Sequence, residues 1–328
     1  MTDEQKQSLS PTINTFNKDK WVGLILAVLG SIAFSGKAIV VKLAYRHGVD
    51  AITLLMYRML FALPLFIILL IWAVRQTHPT QYQLKTKDFL GVIALGFFGY
   101  YMASYLDFMG LQYISASLER LILYLNPTIV MLIAWGLWGK KIKLAQVLGM
   151  LISYSGVVWA LSSELHFEGK NIFLGTVLVF LSAVSYAVYL AFSGQWVERF
   201  GSLRLVCLTS IVACFFCIGQ FFMTHSISSL VVSQPVIFLS VINAVFCTVI
   251  PVIFVMLGIR RLGVSLASQV SLFGPVPTFI LAYFFLAEPI TFNAIIGGLL
   301  VLAGLALASS NLTGQSFQNI IQNFRSKS

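Results

Sequence analysis

The sequence predicts an all-α polytopic membrane protein with ten transmembrane helices, arranged as two inverted five-helix repeats. Three observations lead to this fold class. The chain of 328 residues is 59% hydrophobic and only 10% charged, whereas a soluble domain carries about 45–50% apolar and about 25% charged residues. The apolar residues form ten long runs. The two halves of the chain also align with each other at a constant offset of 148 residues.

The ten apolar runs define the predicted helices. Each run has about 20 residues, which is the length of helix that crosses the hydrocarbon core of a bilayer. The runs are continuous and do not alternate, so they predict helices and not the strands of a membrane barrel. The connections are too short to hold an inserted soluble domain. The predicted spans are 21–43, 51–74, 89–111, 114–138, 144–162, 171–194, 203–223, 235–258, 263–287 and 290–310.

The basic residues predict the orientation of these helices, because lysine and arginine accumulate in cytoplasmic loops. If the N-terminus is cytoplasmic, fifteen of the 21 Lys and Arg residues lie on the inner side, and two, Arg46 and Lys170, lie on the outer side. Both termini are then cytoplasmic tails, at 1–20 and 311–328, of a protein in the cytoplasmic (inner) membrane. The same distribution explains the net charge of +10 without a nucleic-acid partner.

The internal offset predicts five-helix repeats at 21–162 and 171–310. The aligned pairs include Pro127 with Pro275, Gly149 with Gly297 and Gly156 with Gly304. Because five is odd, the second repeat enters the membrane from the opposite side. Inverted repeats are the usual plan of secondary transporters, whose substrate site lies near the midplane between the halves. The glycines predict close helix packing, within the chain or at a homodimer contact.

Three stretches carry a resemblance to a known family. They are GVDAITLLMYRMLFALPL in the second span, GLQYISASLERLILYLNPTIV entering the fourth, and GPVPTFILAYFFLAEPIT ending the ninth. The last includes Ala-Glu-Pro at 287–289, similar to the Gly-Glu-Pro of that family. From about residue 21 to 310 the chain resembles the drug/metabolite transporter (DMT) superfamily, with two EamA-type halves. The resemblance implies transport, and specifically export, because related members export amino acids or metabolites while others carry nucleotide sugars or vitamins.

Charged residues inside predicted spans are the candidate functional residues. A charge at the bilayer centre costs at least ~2.5–3.5 kcal/mol, so each needs a partner or a water-filled cavity. Lys42 lies near enough to the end of its helix for its ammonium group to reach the interface. The other five comprise three cations and two carboxylates, which leaves one positive charge for an anionic group on a substrate. These five are Lys37, Arg58, Asp107, Glu119 and Arg120.

Two interpretations of these charges remain open: a static ion-pair network between the first four helices, and a site for binding or gating. Glu119 and Arg120 point about 100° apart on a helix, so they are not expected to share a partner. Tyr100, Ser104 and Asp107 are expected on one face. Glu119 is also the candidate for coupling to protons. Polar residues of other spans complete the predicted set: Tyr101, Asn126, Tyr189 and Gln269.

Neither enzymatic activity nor a metal or cofactor is predicted. The nearest match to a phosphate-binding loop, at residues 30–37, has one residue too many, and Ala38 follows where Ser or Thr is needed. The four cysteines lie in apolar runs and are expected to be apolar filler. The sequence therefore favours a secondary transporter that exports a small polar or zwitterionic metabolite through the lipid bilayer. An uptake carrier or antiporter for an anionic metabolite and a non-transporting sensor or scaffold are the alternatives.

Overall fold

The computed structural model describes residues 18–75, 86–164, 171–262 and 274–310. Across these ranges the chain is helical, without a strand. The helices are α1 (Lys18–Tyr45), α2 (Ala51–Arg75), α3 (Thr86–Gly96, Phe97–Met102 and Ala103–Leu111), α4 (Ala116–Leu123 and Asn126–Trp138), α5 (Leu144–Glu164), α6 (Ile172–Phe200), α7 (Ser202–Thr224), α8 (Gln234–Ala244, Val245–Val249 and Ile250–Leu262), α9 (Pro275–Leu281 and Ala282–Leu286) and α10 (Phe292–Ser310). A short 3₁₀ turn, Ile227–Leu230, connects α7 to α8.

Eight helices in the described part of the chain, α1 to α8, are long and apolar enough to cross a membrane. Shorter apolar helices occupy Pro275–Leu286 and Phe292–Ala308. The span predicted at 263–287 begins in residues outside the described ranges, so only its second part is seen, as α9. Many large apolar side chains are exposed around the bundle, among them Phe89 and Phe173. A surface so rich in exposed apolar side chains suits lipid as its solvent, and the chain is a multi-pass membrane protein.

The contacts between helices are symmetric. If α1 to α5 are renamed α6 to α10 and the reverse, the same helix pairs result. The most extensive contact runs between α5 and α10, and α2 packs along α7. Helix α1 packs along α8, and α3 packs along α6 in the corresponding way. The exchange converts the pair α1–α8 into the pair α6–α3, and it returns α2–α7 and α5–α10 to themselves.

Local backbone features recur at the same offset. A π-helical segment occupies Phe97–Met102 in α3, and another, Val245–Val249, begins 148 residues later in α8. Helix α4 ends at Gly139 with φ of 62°, and α9 ends 148 residues later at Ala287 with φ of 57°. The conformations recur although the residues differ, so the offset seen in the sequence has a counterpart in the backbone.

The aligned glycines make a close backbone contact between α5 and α10. Gly149 faces Gly304, and Gly156 faces Gly297. A methyl group added at Gly149 would lie 2.5 Å from the carbonyl oxygen of Gly304, so no side chain separates the two helices. The predicted glycine packing is therefore confirmed, and it lies within the chain and not at a homodimer contact.

Replacing Gly149 with alanine is expected to destabilise the protein by about 1–3 kcal/mol, because overpacking forces the two backbones apart. Gly136 provides the control, since a methyl group added there meets nothing within 4 Å. Thermal unfolding in detergent measures both variants. Gly149→Ala should lower the melting temperature, whereas Gly136→Ala should leave it unchanged or raise it. A Gly149→Ala protein that melts like the wild type would contradict the close packing.

Four clusters of buried apolar side chains form the interior of the described part, and the two largest flank the candidate charges. One includes Leu54 and Phe108, and the other includes Leu118 and Val301. All four cysteines are buried free thiols, consistent with their expected role as apolar filler. Asp107 directly precedes Phe108 and Glu119 directly follows Leu118, so the candidate charged residues lie where the two clusters meet.

Candidate functional site

Lys37 lies at the centre of the candidate site and contacts two buried carboxylates. Its Nζ is 2.6 Å from Oδ2 of Asp107 and 3.4 Å from Oε1 of Glu119. The three residues belong to α1, α3 and α4, so this ion-pair cluster joins three helices of the first half. Side-chain exposure is 2% for Asp107 and 0% for Glu119. One lysine charge balances only one of the two carboxylate charges.

Oδ1 of Asp107 and Oε2 of Glu119 have neither a hydrogen bond nor an ion-pair contact among the described residues, and Oε1 of Glu119 has only the 3.4 Å ion-pair contact to Lys37. Buried polar atoms are normally hydrogen bonded, and leaving one unpaired costs about 1–3 kcal/mol. The cluster therefore has acceptors that the surrounding side chains leave open to a donor group or a proton.

Arg58 projects from α2 into the interior and is 5% exposed. Its Nε donates to Oγ1 of Thr248 at 3.1 Å, and its guanidinium lies over the ring of Phe108, 5.2 Å from the centroid. Nη1 has no hydrogen-bond acceptor in the described part of the chain. Within the same ranges, no carboxylate lies within ion-pair distance of Arg58.

The π-helical segment of α8 positions the hydroxyl that holds Arg58. Thr248 lies in this segment and donates to the carbonyl of Asn243, five residues earlier, at 2.9 Å. The side chain of Asn243 is itself fully buried, and neither its Oδ1 nor its Nδ2 has a partner among the described residues. π-Helical turns within α-helices are frequent at functional sites, and this one places a donor-acceptor hydroxyl beside a buried cation.

Arg120 reaches a different set of partners from Glu119. Its Nη2 donates to Oγ of Ser35 at 3.4 Å, and its guanidinium lies 5.6 Å from the centroid of the Tyr124 ring. The hydroxyl of Ser35 in turn donates to the carbonyl of Gly274 at 2.9 Å, immediately before α9. The prediction that Glu119 and Arg120 face separate partners is confirmed. Arg120 thus links α4 through α1 to the second half of the chain.

The break in α4 follows from its sequence. The first segment ends at Leu123, and Asn126 and Pro127 begin the second. Proline lacks a backbone donor, so N of Pro127 cannot bond to the carbonyl of Leu123 and the helix is interrupted there. Asn126 is half-buried, and its buried Oδ1 has no donor among the described residues.

Two other predicted site residues, Tyr101 and Tyr189, make aromatic contacts away from the charged cluster. Tyr101 packs against Phe216 of α7, with ring centroids 5.4 Å apart. Tyr189 of α6 packs against Tyr100, with centroids 5.3 Å apart. Gln269 lies outside the described residues.

The expected common face of Tyr100 and Asp107 is wrong. Tyr100 packs against α6 through Tyr186 and Tyr189, whereas Asp107 contacts Lys37 of α1. The prediction assumed 3.6 residues per turn throughout α3. The π-helical segment between Gly96 and Ala103 has more residues per turn than an α-helix. Side chains after this segment therefore point in a different direction from the one that a regular helix predicts.

The sequence contained weak signals for two further residues. The carboxylate of Glu288 lies 3.6 Å from Nζ of Lys42, whose side chain is 15% exposed. Lys42 therefore forms an ion pair within the protein, which differs from the expected reach to the interface. The Ala-Glu-Pro motif at 287–289 could have indicated Glu288. Nothing in the local sequence indicated Thr248, because a single threonine in an apolar run has no distinguishing pattern.

An all-helical membrane protein whose interior holds ion pairs between several helices has the features of a membrane transporter. The chain belongs to the EamA-like transporter family, which it matches over residues 21–162 and 173–310. The predicted resemblance to the drug/metabolite transporter superfamily is thereby confirmed.

Similar proteins include characterised and uncharacterised transporters. The chain is 30% identical over 283 residues to the uncharacterized transporter YcbK of Bacillus subtilis (strain 168), covering 84% of this chain and 88% of that protein. It is 27% identical over 195 residues to the aromatic amino acid exporter YddG of Salmonella typhimurium (strain 14028s / SGSC 2262), covering 56% and 64%. A crystal structure with 16% sequence identity has a TM-score of 0.62 and covers 88% of this chain and 96% of its own, which shows likeness of fold.

Proposed function

We propose that this protein is a secondary active transporter that exports a small polar or zwitterionic metabolite, similar to an amino acid, across the cytoplasmic membrane. The observation that carries the proposal is the unequal pairing of buried charges. Lys37 serves both Asp107 and Glu119, whereas Arg58 and Arg120 are held by hydroxyl groups and aromatic rings.

Such an arrangement suits a ligand that carries both charges. A buried arginine without a carboxylate partner is costly in a membrane interior, and a substrate carboxylate at Arg58 or Arg120 would offset that cost. The open acceptors of Asp107 and Glu119 suit a substrate ammonium group. The name of the similar YddG protein, an aromatic amino acid exporter, supports both an amino-acid-like substrate and the outward direction.

Alternating access by two inverted five-helix repeats, at 21–162 and 171–310, is the proposed mechanism. The exchange-symmetric helix pairing, the recurring π-helical segments and the two family matches support it. In this scheme α9 and α10 cross the membrane with the other eight helices. Rocking of one half against the other then exposes the midplane site to each side in turn. No chemical conversion of the substrate is part of the proposal.

Exchange of labelled compounds tests the proposal directly. Purified protein in liposomes should exchange zwitterionic amino acids in a counterflow assay, and exchange should fail with matched amines that lack the carboxylate. Preference for dicarboxylates would favour the alternative of an anion carrier or antiporter, which the surplus of cations at the site supports. A sensor or scaffold would exchange no compound, and it would leave cysteines introduced at Tyr101 and Asn126 unreactive.

The proposed orientation has its own expected result, which rests on the fifteen-to-two bias of basic residues. A reporter enzyme that is active only outside the cytoplasm should be inactive when fused after Ser328. Fusions near Lys170 and His225 should be active. An active fusion after Ser328 would require an odd number of spans and would contradict the ten-helix arrangement.

A further inference from the structure

We propose that Glu288 is a gating residue that fastens the two halves of the transporter together at one end of the bundle. This end, named here the Arg46 end, is where α1 and α3 terminate and α2 and α4 begin. Under the proposed orientation it faces the outside. The consequence for transport rests on the proposed function, whereas the contact and its opening can be measured without any substrate.

The carboxylate of Glu288 caps the start of α4 from far away in the sequence. Its Oε1 accepts a hydrogen bond from N of Ala116 at 3.0 Å, and its Oε2 accepts from N and Oγ of Ser117 at 3.4 and 3.2 Å. Negative charge at the N-terminus of a helix is favourable. Lys42 of α1 adds an ion pair at 3.6 Å. The carboxylate therefore ties the connection between α9 and α10 to two helices of the first half.

Helix α4 does not need Glu288 in order to begin. Ser115 is its own N-cap, and the Ser115 hydroxyl accepts a hydrogen bond from N of Leu118 at 3.0 Å. Because a local cap is already present, the contact to Glu288 is a second, tertiary cap. It can open without unfolding the first turn of α4, as a gate requires.

Arg46 reinforces the same junction. Its Nη2 donates to the carbonyl of Leu286 at 2.6 Å, and its Nη1 lies 3.5 Å from the carbonyl of Phe285. These carbonyls belong to the last turn of α9. The end of α9 is thus held by Arg46, which directly follows α1, while Glu288, the residue after the C-cap of α9, holds the start of α4.

The backbone just before Glu288 has the left-handed conformation of a helix C-cap. Ala287 has φ of 57° and is the one non-glycine residue with positive φ in the described ranges. A residue with a Cβ atom is strained in this left-handed conformation. The equivalent Gly139 adopts it without strain. At both positions a backbone hydrogen bond closes the helix end, from N of Glu288 to the carbonyl of Ala282 at 3.2 Å and from N of Lys140 to the carbonyl of Ala134 at 3.4 Å.

The Glu288 contact has no counterpart at the equivalent position of the first half. The position equivalent to Glu288 in the first half is Lys140, which is exposed and lies 6.0 Å from the centroid of the Trp138 ring. A lysine cannot accept hydrogen bonds from the start of a helix. The opposite end is joined by different residues, since Arg199 of α6 donates to the carboxylate of Asp88 in α3 at 2.6 and 3.0 Å.

A cavity of about 460 Å³ lies directly behind the junction, and Lys42, Glu288 and Leu121 are among the residues that line it. The charged groups that line the cavity are paired with one another or with backbone carbonyls. These contacts hold the two halves together, as expected of a gate in its closed state. Release of Glu288 from α4 would open this cavity to the Arg46 end and expose the side chain of Leu121, which is fully buried in the closed state.

The test measures how fast a cysteine at Leu121 reacts with a membrane-impermeant maleimide in the purified full-length protein. Protein without the Leu121→Cys change gives the background from the four buried native thiols. Glu288→Gln should raise the reaction rate at least about tenfold, because it removes charge-assisted hydrogen bonds. Ser117→Ala, which removes one of the contacts, should give a smaller increase.

The matched control is Thr291→Val. Thr291 lines the same cavity three residues from Glu288, and its hydroxyl accepts a hydrogen bond from N of Ala294 at 3.2 Å, within α10. This variant removes a local cap and leaves the junction intact, so its rate should stay within about twofold of the wild type. If the cysteine also reacts faster in the Thr291→Val protein, the cause is a general loosening of α10, and the gating role of Glu288 is contradicted.

A folded, monodisperse Glu288→Gln protein that reacts at the wild-type rate would also overturn it. If that variant does not fold, Ser117→Ala and Lys42→Gln replace it in the test. Unchanged maleimide reaction rates in both variants would contradict the gating role of Glu288. Faster reaction in a protein that exchanges no compound would support the gate and contradict the transport proposal. Substrate exchange at the wild-type rate, together with unchanged maleimide reaction rates, would support the transport proposal and contradict the gate.

Discussion

Replacing Arg58 with glutamine is expected to reduce substrate exchange about 100-fold, while the amount of protein in the membrane stays within about twofold of the wild type. Hydrogen bonds to a charged group contribute about 1.5–3 kcal/mol, or roughly 10- to 100-fold in an equilibrium. The buried Arg58 has an unpaired Nη1 and no described carboxylate partner. Under the proposed function its loss removes a contact to the substrate carboxylate, while the fold loses the hydrogen bond to Thr248 and the contact with the Phe108 ring but no ion pair. Counterflow in liposomes measures the exchange, and thermal unfolding measures the fold.

Two variants serve as controls for Arg58→Gln. Arg75→Gln makes the same change at the exposed end of the same helix and should leave exchange unchanged. Thr248→Val removes only the neutral partner of Arg58, and its effect should be a few-fold. If Arg58→Gln disappears from the membrane and the additional change Asp107→Asn restores it, the charges form a static network. In that case an unpaired buried carboxylate, and not lost binding, explains the defect.

Replacing Glu119 with glutamine is expected to abolish accumulation driven by a pH gradient, while counterflow stays within about threefold of the wild type. Lys37 balances one of the two carboxylates that it contacts, and a bound proton can balance the other. Glu119 is the more weakly held of the two, at 3.4 Å against 2.6 Å, and it is fully buried. Arrival of a substrate cation or anion at the cluster would change this balance and link the proton to the cargo.

The Glu119→Gln protein should fold, because Asp107 remains paired with Lys37. Glu198→Gln is the isosteric control, since Glu198 is exposed on α6, and it should accumulate substrate normally. Normal accumulation by Glu119→Gln under the same pH gradient would identify Glu119 as a structural ion-pair partner only. The pH gradient would then act elsewhere or not at all.

The membrane class and the placement of the buried charges followed from composition and run length. Lipid offers no hydrogen bonds to the backbone, so long apolar runs must become helices, and this holds whatever their neighbours are. The glycine packing was also predictable, because Gly149 and Gly156 recur at the constant offset and only small residues let two helices touch. Helical periodicity correctly separated Glu119 from Arg120, since both lie within one regular turn.

The candidate site itself was only partly predictable. The sequence marked Lys37, Asp107 and Glu119 as charges without showing that one lysine holds both carboxylates. It placed Tyr101 and Tyr189 among the site residues, although they pack in aromatic contacts between α3, α6 and α7. An aromatic residue in a membrane span has the same local pattern whether it lines a cavity or packs between helices.

The sequence by itself therefore determined a helical membrane protein with repeated halves and with charged residues inside its spans, among which cations outnumber carboxylates. Tertiary structure alone decided which groups meet: Lys37 with two carboxylates, Arg58 with Thr248, and Glu288 with the start of α4. The physical reason is that burial and periodicity act along one helix, where 3.6 residues per turn set the faces. Partner choice depends on how helices distant in sequence pack together, and on π-helical turns that rotate a face without any compositional sign.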